Sequence, residues 1–309
     1  MAWGDPIANL VGIPALRLRD VGFTNSPDGM SLDIRRFGDG AREQLMITDP
    51  FDSGPTGAFK TLCQNYPGES VYSGADGFRS LWGPIFYRGR ADGTARLLVI
   101  GQDPAQTEAI TRRILSGQAG RRVQGFVEKL GFTKSYLMIN TFAYGIYNQA
   151  MALPHVNDPE IQSYRHQWIE AALAPGKIEA VVTFGTPAFD AWTAFKATPA
   201  GQATAVFHHR ALHPTADKPG GPITRKNLLD NWNVALKSLH ANIQTPDQNV
   251  PLVLYGADFK DAELPAIPSL DFPMGLQPWM RSTDFWASMS PTPGEERANI
   301  SIQVPASNA

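Results

Sequence analysis

The stretch "RLLVIGQDPAQTEA", Arg96 to Ala109, runs four aliphatic residues straight into Gly101, Gln102, Asp103 and Pro104. A strand ending there delivers an amide and a carboxylate at its carboxyl end. Two further apolar runs end in the same manner: "SYLMINTF" carries Asn140, and "TAVFHHRALHP" carries His213. An aspartate can orient water and stabilise positive charge, an asparagine can read a donor–acceptor edge, and a histidine can support a developing anion. Each also has a plainer use. Asp103 could be a helix cap, Gln102 a turn residue, Asn140 the close of a strand and His213 a surface loop histidine. His208 and His209 compete with His213 for any catalytic role. The run "HHRALH" also has spacings that could ligate zinc, yet no other Cys or His cluster completes the usual ligand count.

These residues need elements to position them, and the chain supplies a regular alternation. After "RLLVIG", helical spacing runs through "TEAITRRILSGQAGRRVQGFVEKLG", with Gly131 as its stop. "SYLMINTF" is the next strand. "DPEIQSYRHQWIEAALAPG" reads as a helix with Asp158 at the cap and Pro159 at the first position. "IEAVVTFG", "TPAFDAWTAFK", "TAVFHHRALHP" and "NLLDNWNVALKSLHANI" continue as strand, helix, strand, helix. Four such alternations predict βαβ crossovers: a three-layer α/β/α fold with a central, mainly parallel sheet of about four strands, its ligand site beyond their carboxyl ends. The expected organisation is a single domain over 1–309, with an N-terminal cover (1–90), a core (91–245) and a C-terminal extension (246–309). The extension's aromatic, proline-rich stretch could pack back or meet a second copy in a homodimer.

Composition narrows the function classes. With 43% apolar and 18% charged residues the chain has an ordinary globular make-up, and its net charge of -2 argues against a protein that coats nucleic acid or membranes. The single cysteine, Cys63, leaves no internal disulfide framework and no four-cysteine cluster within one chain. No window approaches the ~20 apolar residues of a membrane span, and the N-terminus lacks a basic start followed by an apolar run. A cytoplasmic location is the expectation.

Taken together, the motifs resemble those of the uracil-DNA glycosylase superfamily. "GQDPA" is similar to a first motif that reads GQDPY in one branch, "HPTA" to a second motif reading HPSP or HPSA, and "LMINTF" to the strand with the base-reading asparagine. "ILSGQAGRRVQGFVEKLG" resembles a helix of the iron-sulfur branch, and "VVTFGTPAFDAW" its third strand and turn. The likeness spans about 95–240. It implies a monofunctional glycosylase without metal or organic cofactor, acting on uracil-containing DNA by base extrusion. In that family Asp103 orients water toward the sugar C1′ and stabilises the oxocarbenium-like sugar. Gln102 and Gly101 meet the base, Asn140 pairs with O4 and N3–H of uracil, and His213 donates to O2. A different class remains open, a non-catalytic binder of uracil-containing or abasic DNA. A third alternative is a metal-dependent hydrolase using the histidines.

Two departures from the family pattern bear on specificity. Ala105 stands where one branch has a tyrosine against C5 of uracil, which implies a roomier pocket. Leu115 stands where the family has a phenylalanine stacked on the base. Arg112, Arg113, Arg121 and Arg122 flank the "GQAG" turn and could neutralise phosphates. The position of the family's intercalating leucine falls near Asp217, in a longer loop stiffened by Pro219 and Pro222 around Gly220 and Gly221, so single-stranded DNA is the expected substrate.

Overall fold

The computed structural model describes residues 21–26, 29–35, 44–68, 71–72, 77–273, 286–289 and 300–303. Most of the aromatic C-terminal stretch, 274–285, lies outside the described residues.

Three strands, β1 (Val21–Ser26), β2 (Gly29–Arg35) and β3 (Gln44–Phe51), form an antiparallel sheet in that order. The central sheet consists of β4 (Tyr87–Gly89), β5 (Leu97–Gly101), β6 (Tyr136–Asn140), β7 (Ala180–Phe184) and β8 (Phe207–Ala211), in the order β4-β6-β5-β7-β8. The last four are parallel and are the four that the apolar runs predict; β4 adds an antiparallel edge against β6. A short hairpin of β9 (Trp286–Met289) and β10 (Ile300–Gln303) follows.

Eight helices are described: α1 (Gly57–Gln64), α2 (Gln106–Thr111), α3 (Gln118–Lys129), α4 (Gln149–Ala152), α5 (Pro159–Leu173), α6 (Thr186–Lys196), α7 (Pro199–Gln202) and α8 (Arg225–His240). Period-2 alternation splits the buried sheet residues between two cores. Leu97, Val99, Tyr136, Met138, Ala180 and Val182 pack with α3 and α8, whereas Leu98, Ile100, Leu137, Ile139 and Val181 pack with α1, α5 and α6. Helices on both faces of a mostly parallel sheet make the three-layer α/β/α fold. Asp158 caps α5 as the sequence indicates, accepting from the N–H of Glu160 at 3.0 Å.

The long helix expected from Thr107 to Gly131 is two helices, α2 and α3. Between them Arg112 and Leu115 take left-handed φ values of 59° and 51°. Competing hydrogen bonds cause the break: the buried Glu108 carboxylate accepts from the N–H groups of Ser116 (2.9 Å) and Gly117 (3.0 Å), and the Thr111 and Ser116 hydroxyls bond at 2.6 Å.

The segment after α8 packs against the core. Asp247 accepts from the N–H groups of Thr133, Lys134 and Ser135, tying down the turn into β6. Asp271, fully buried, takes hydrogen bonds from Arg90 (2.8 Å), Arg88 (3.3 Å) and the Tyr136 hydroxyl (2.7 Å). Among the described residues no helix is long and apolar enough to cross a membrane.

Candidate active site

Chain order reverses at β5: β6 pairs on one side of it and β7 on the other. Ligands of open parallel sheets bind beyond the strands' carboxyl ends at such a reversal. Gly101, Gln102 and Asp103 leave β5 at that point. Asn140 ends β6 directly opposite Gly101 in the parallel register. Beyond the strands the two exits stay paired, the N–H groups of Thr141 and Phe142 donating to the carbonyls of Gly101 (2.9 Å) and Gln102 (3.0 Å). A Cβ on residue 101 would stand 2.5 Å from Asn140 Oδ1 and 3.7 Å from Leu115 Cδ1. Only glycine lets these three converge.

Both amide atoms of Asn140 are buried and have no hydrogen-bond partner. A side-chain amide in that condition costs stability unless something arrives to pair with it.

The Asp103 carboxylate accepts from the Ile146 N–H at 2.9 Å. The carbonyl of Ile146 accepts from Arg79 Nε at 3.3 Å. Burial raises the Asp103 carboxyl to about 6, while the Ile146 N–H and the Gln102 amide pull it back. Gly145 sits against this turn: a Cβ there would lie 2.7 Å from the Pro104 carbonyl and 3.2 Å from the Trp82 ring. Trp82 in turn holds the Arg79 guanidinium 4.6 Å from its centroid. Ala105 is exposed at the start of α2, and its N–H donates to Glu108 at 3.1 Å.

His213 is set by α8. Asn231 accepts the Leu212 N–H at 2.8 Å and Trp232 donates to the Leu212 carbonyl at 2.9 Å, so the residue before His213 is held at both backbone groups. The imidazole packs over Gly185, where a Cβ would lie 3.2 Å from that of His213; Gly185 ends β7 with φ +90°. Nδ1 faces the Thr215 N–H at 3.3 Å, which assigns the ring proton to Nε2. Burial, aided by Lys218, lowers the imidazole to about 4, so it is neutral at pH 7.

The other two histidines lie inside β8. His208 bonds Thr183 at 3.0 Å and packs on Trp192, and the strand's alternation turns His209 to the opposite face. Neither stands at the strand end.

The four arginines flanking the turn hold parts of the protein itself. Arg112 donates to the carbonyls of Trp82 and Pro84, each at 2.7 Å. Arg113 pairs with Asp52 at 2.6 Å, Arg121 donates to the Leu264 carbonyl, and Arg122 pairs with Asp217 at 2.8 Å. Of these four only Arg112 is exposed. Asp217 points inward to Arg122 and Arg225, its side chain 4% exposed. The two guanidinium groups neutralise its charge inside the fold. Residues 218–222 form the exposed tip of the loop.

Sequence reasoning passed over Glu108, which ties the Asp103–Ala105 turn to the Leu115 loop. The available signal was an acid at the third position of α2, three residues after Ala105. The Ile146 N–H gave no signal, because a backbone donor has no side-chain signature.

No curated protein matches the chain. Residues 89–237 match the sequence profile of the Uracil DNA glycosylase superfamily, a span that takes in β5 to β8 and Asp103, Asn140 and His213. With a profile match and a parallel sheet that bring these groups to one edge, residues 89–237 belong to the uracil DNA glycosylase superfamily.

Proposed function

We propose that the protein hydrolyses the N-glycosidic bond of uracil in DNA, prefers single-stranded DNA and so begins base excision repair. The observation that carries this reading is the Asn140 amide, buried beside Gly101 with neither atom paired. An extruded uracil supplies the complement: the Asn140 Nδ2–H donates to O4 and its Oδ1 accepts from N3–H. Cytosine presents the inverse pattern and leaves the amide unpaired, a large penalty in a buried site.

As the C1′–N1 bond breaks, electrons pass to the base and positive charge grows on the sugar. The Asp103 carboxylate stabilises that charge and orients the water that adds at C1′. His213, neutral with its proton on Nε2, donates to uracil O2 as the base departs as an anion. Gln102 contributes its backbone and amide to the base carbonyls, and Leu115 covers the base face. In this reading Arg112, the exposed one of the four, meets a phosphate as well as bracing its loop through the Trp82 and Pro84 carbonyls, while the other three only brace the loops.

Two features set the substrate range. Ala105 leaves space beside C5, so 5-substituted uracils such as 5-hydroxymethyluracil enter. Asp217, turned inward, provides no apolar wedge to offset unstacking, a cost of a few kcal/mol in duplex and least in a single strand. Base release from matched single-stranded and duplex oligonucleotides carrying uracil, 5-hydroxymethyluracil, thymine or cytosine tests the reading. Release of the first two, faster from single strands, is expected; faster release from duplex contradicts the strand preference.

A further inference from the structure

Residues 77–82, ahead of β4, lie along the loop that leaves β6. Phe78 and Ile146 form an antiparallel bridge, and the Gly77 carbonyl accepts from the N–H groups of Tyr147 (2.6 Å) and Asn148 (3.1 Å). A Cβ on residue 77 would stand 2.5 Å from the Ala152 nitrogen, so this close approach requires glycine.

Arg79 grips both peptide units that meet at Ile146. Its backbone N–H donates to the Gly145 carbonyl at 2.8 Å. That carbonyl belongs to the peptide unit whose N–H, on Ile146, donates to Asp103 at 2.9 Å, so the two bonds run in series and polarise each other. The side chain takes the next unit, Nε donating to the Ile146 carbonyl at 3.3 Å. The residue is 4% exposed, and the rings of Trp82 and Tyr147 lie 4.6 Å and 5.3 Å from its guanidinium.

We infer that Arg79 is a positioning residue for the reaction at Asp103: it fixes the loop that aims the carboxylate and sets a permanent positive charge near it. What that carboxylate does to DNA rests on the glycosylase reading; its ionisation does not. Burial, the largest influence on Asp103, favours the neutral acid; the Ile146 N–H, Gln102 and the Arg79 charge oppose it, and Glu108 of α2 adds to it. Of the other titratable or charged groups nearby, Arg112 donates to the Trp82 and Pro84 carbonyls, Tyr147 gives its ring to Arg79, His155 meets the Phe78 ring, and His213 is neutral at pH 6. Loss of Arg79 removes a charge and loosens the Ile146 donor together, and both changes favour the neutral acid.

Carbon-13 NMR of the aspartate carboxyls, with the Asp103 resonance assigned by its loss in Asp103→Asn, reads that ionisation without any turnover. The Asp103 midpoint should rise by about half a pH unit or more in Arg79→Met, and Arg79→Lys, which keeps the charge, should recover most of the shift. Uracil release at pH 6 relative to pH 8 should fall about twofold or more in Arg79→Met and recover in Arg79→Lys. An unmoved midpoint in folded Arg79→Met overturns the inference, as does an equal shift in Arg79→Lys. A shifted midpoint without uracil release from the wild type removes the glycosylase reading and leaves the hold of Arg79 on Asp103 standing. Should both variants fail to fold, the wild-type Arg79 Nε resonance decides: an inflection at the Asp103 midpoint that vanishes in Asp103→Asn supports the inference, and a flat response overturns it.

Discussion

Asp103 accepts a hydrogen bond from the Ile146 N–H at 2.9 Å, so the loop leaving β6 aims the carboxylate that leaves β5. Asp103→Asn preserves this bond through its amide oxygen and removes only the charge. Uracil release should fall by about 100-fold or more. Burial already disfavours the ionised form, so the thermal midpoint at pH 7.5 should hold steady or rise by a few degrees. Single-turnover kinetics and thermal unfolding on the same preparation check both. Near-normal release from the folded variant would remove Asp103 from the mechanism.

The pH profile follows from the same two groups. With Asp103 at about 6 and His213 at about 4, the required pair of ionised carboxylate and neutral imidazole dominates above pH 6. Release should rise close to tenfold per pH unit up to about 6 and stay flat to about 8. Stability behaves differently. The raised Asp103 value means the folded protein binds the extra proton between about pH 4 and 6, which relieves its burial penalty as pH falls. The lowered His213 value has the opposite sign: the unfolded chain takes that proton first, and stability is lost as pH falls from about 6.5 to about 4. The two contributions oppose each other, so activity should fall below pH 6 more steeply than folding stability does. A plateau extending unchanged to pH 4.5 would contradict the Asp103 assignment.

Much of this site was legible in the sequence because it depends on strand ends. Continuous apolar runs over Leu97–Gly101, Tyr136–Asn140 and Ala180–Phe184 are what a sheet buried on both faces requires, and Asp103, Asn140 and His213, at or just past the ends of β5, β6 and β8, fall at one edge. Tyr87–Gly89 was not legible: three residues hold no periodicity, and their pairing depends on where β6 lies. Helical spacing concealed the break at Arg112–Leu115, because the carboxylate that causes it reaches eight and nine residues along the chain. The arginines show the same limit, since spacing gives a charge its position but not its partner. Asp52 and Leu264 lie 61 and 143 residues from Arg113 and Arg121.

His213 and His208 separate chemistry from packing. His213→Ala should lower release about 100-fold or more while keeping the fold, because the ring lies over Gly185 outside the sheet. His208→Ala removes the bond to Thr183 and the contact with Trp192, and should lower stability by about 1–3 kcal/mol with little change in release per folded molecule. Measuring both variants by chemical denaturation and single turnover distinguishes the roles. A larger loss of release in folded His208→Ala would transfer the catalytic role.

Ala105→Tyr tests the space beside C5. Ala105 is exposed at the N-cap of α2, and the neighbouring Pro104 carbonyl and the Trp82 ring both border Gly145. The added ring should cut release of 5-hydroxymethyluracil at least about tenfold relative to uracil, a clash of the order of a lost pocket contact. Competition kinetics on the two substrates give the ratio directly. An unchanged ratio would place the gate elsewhere.

Product analysis on two single-stranded oligonucleotides, identical but for one uracil or one cytosine, tests the central claim most directly. The wild-type protein is incubated with each in the presence of EDTA, and free base and strand are followed by mass spectrometry. The account predicts free uracil with an intact strand bearing one abasic site, no cytosine release, and loss of uracil release in Asn140→Ala. Absence of base release, cleavage of the strand, or equal release of cytosine would contradict it.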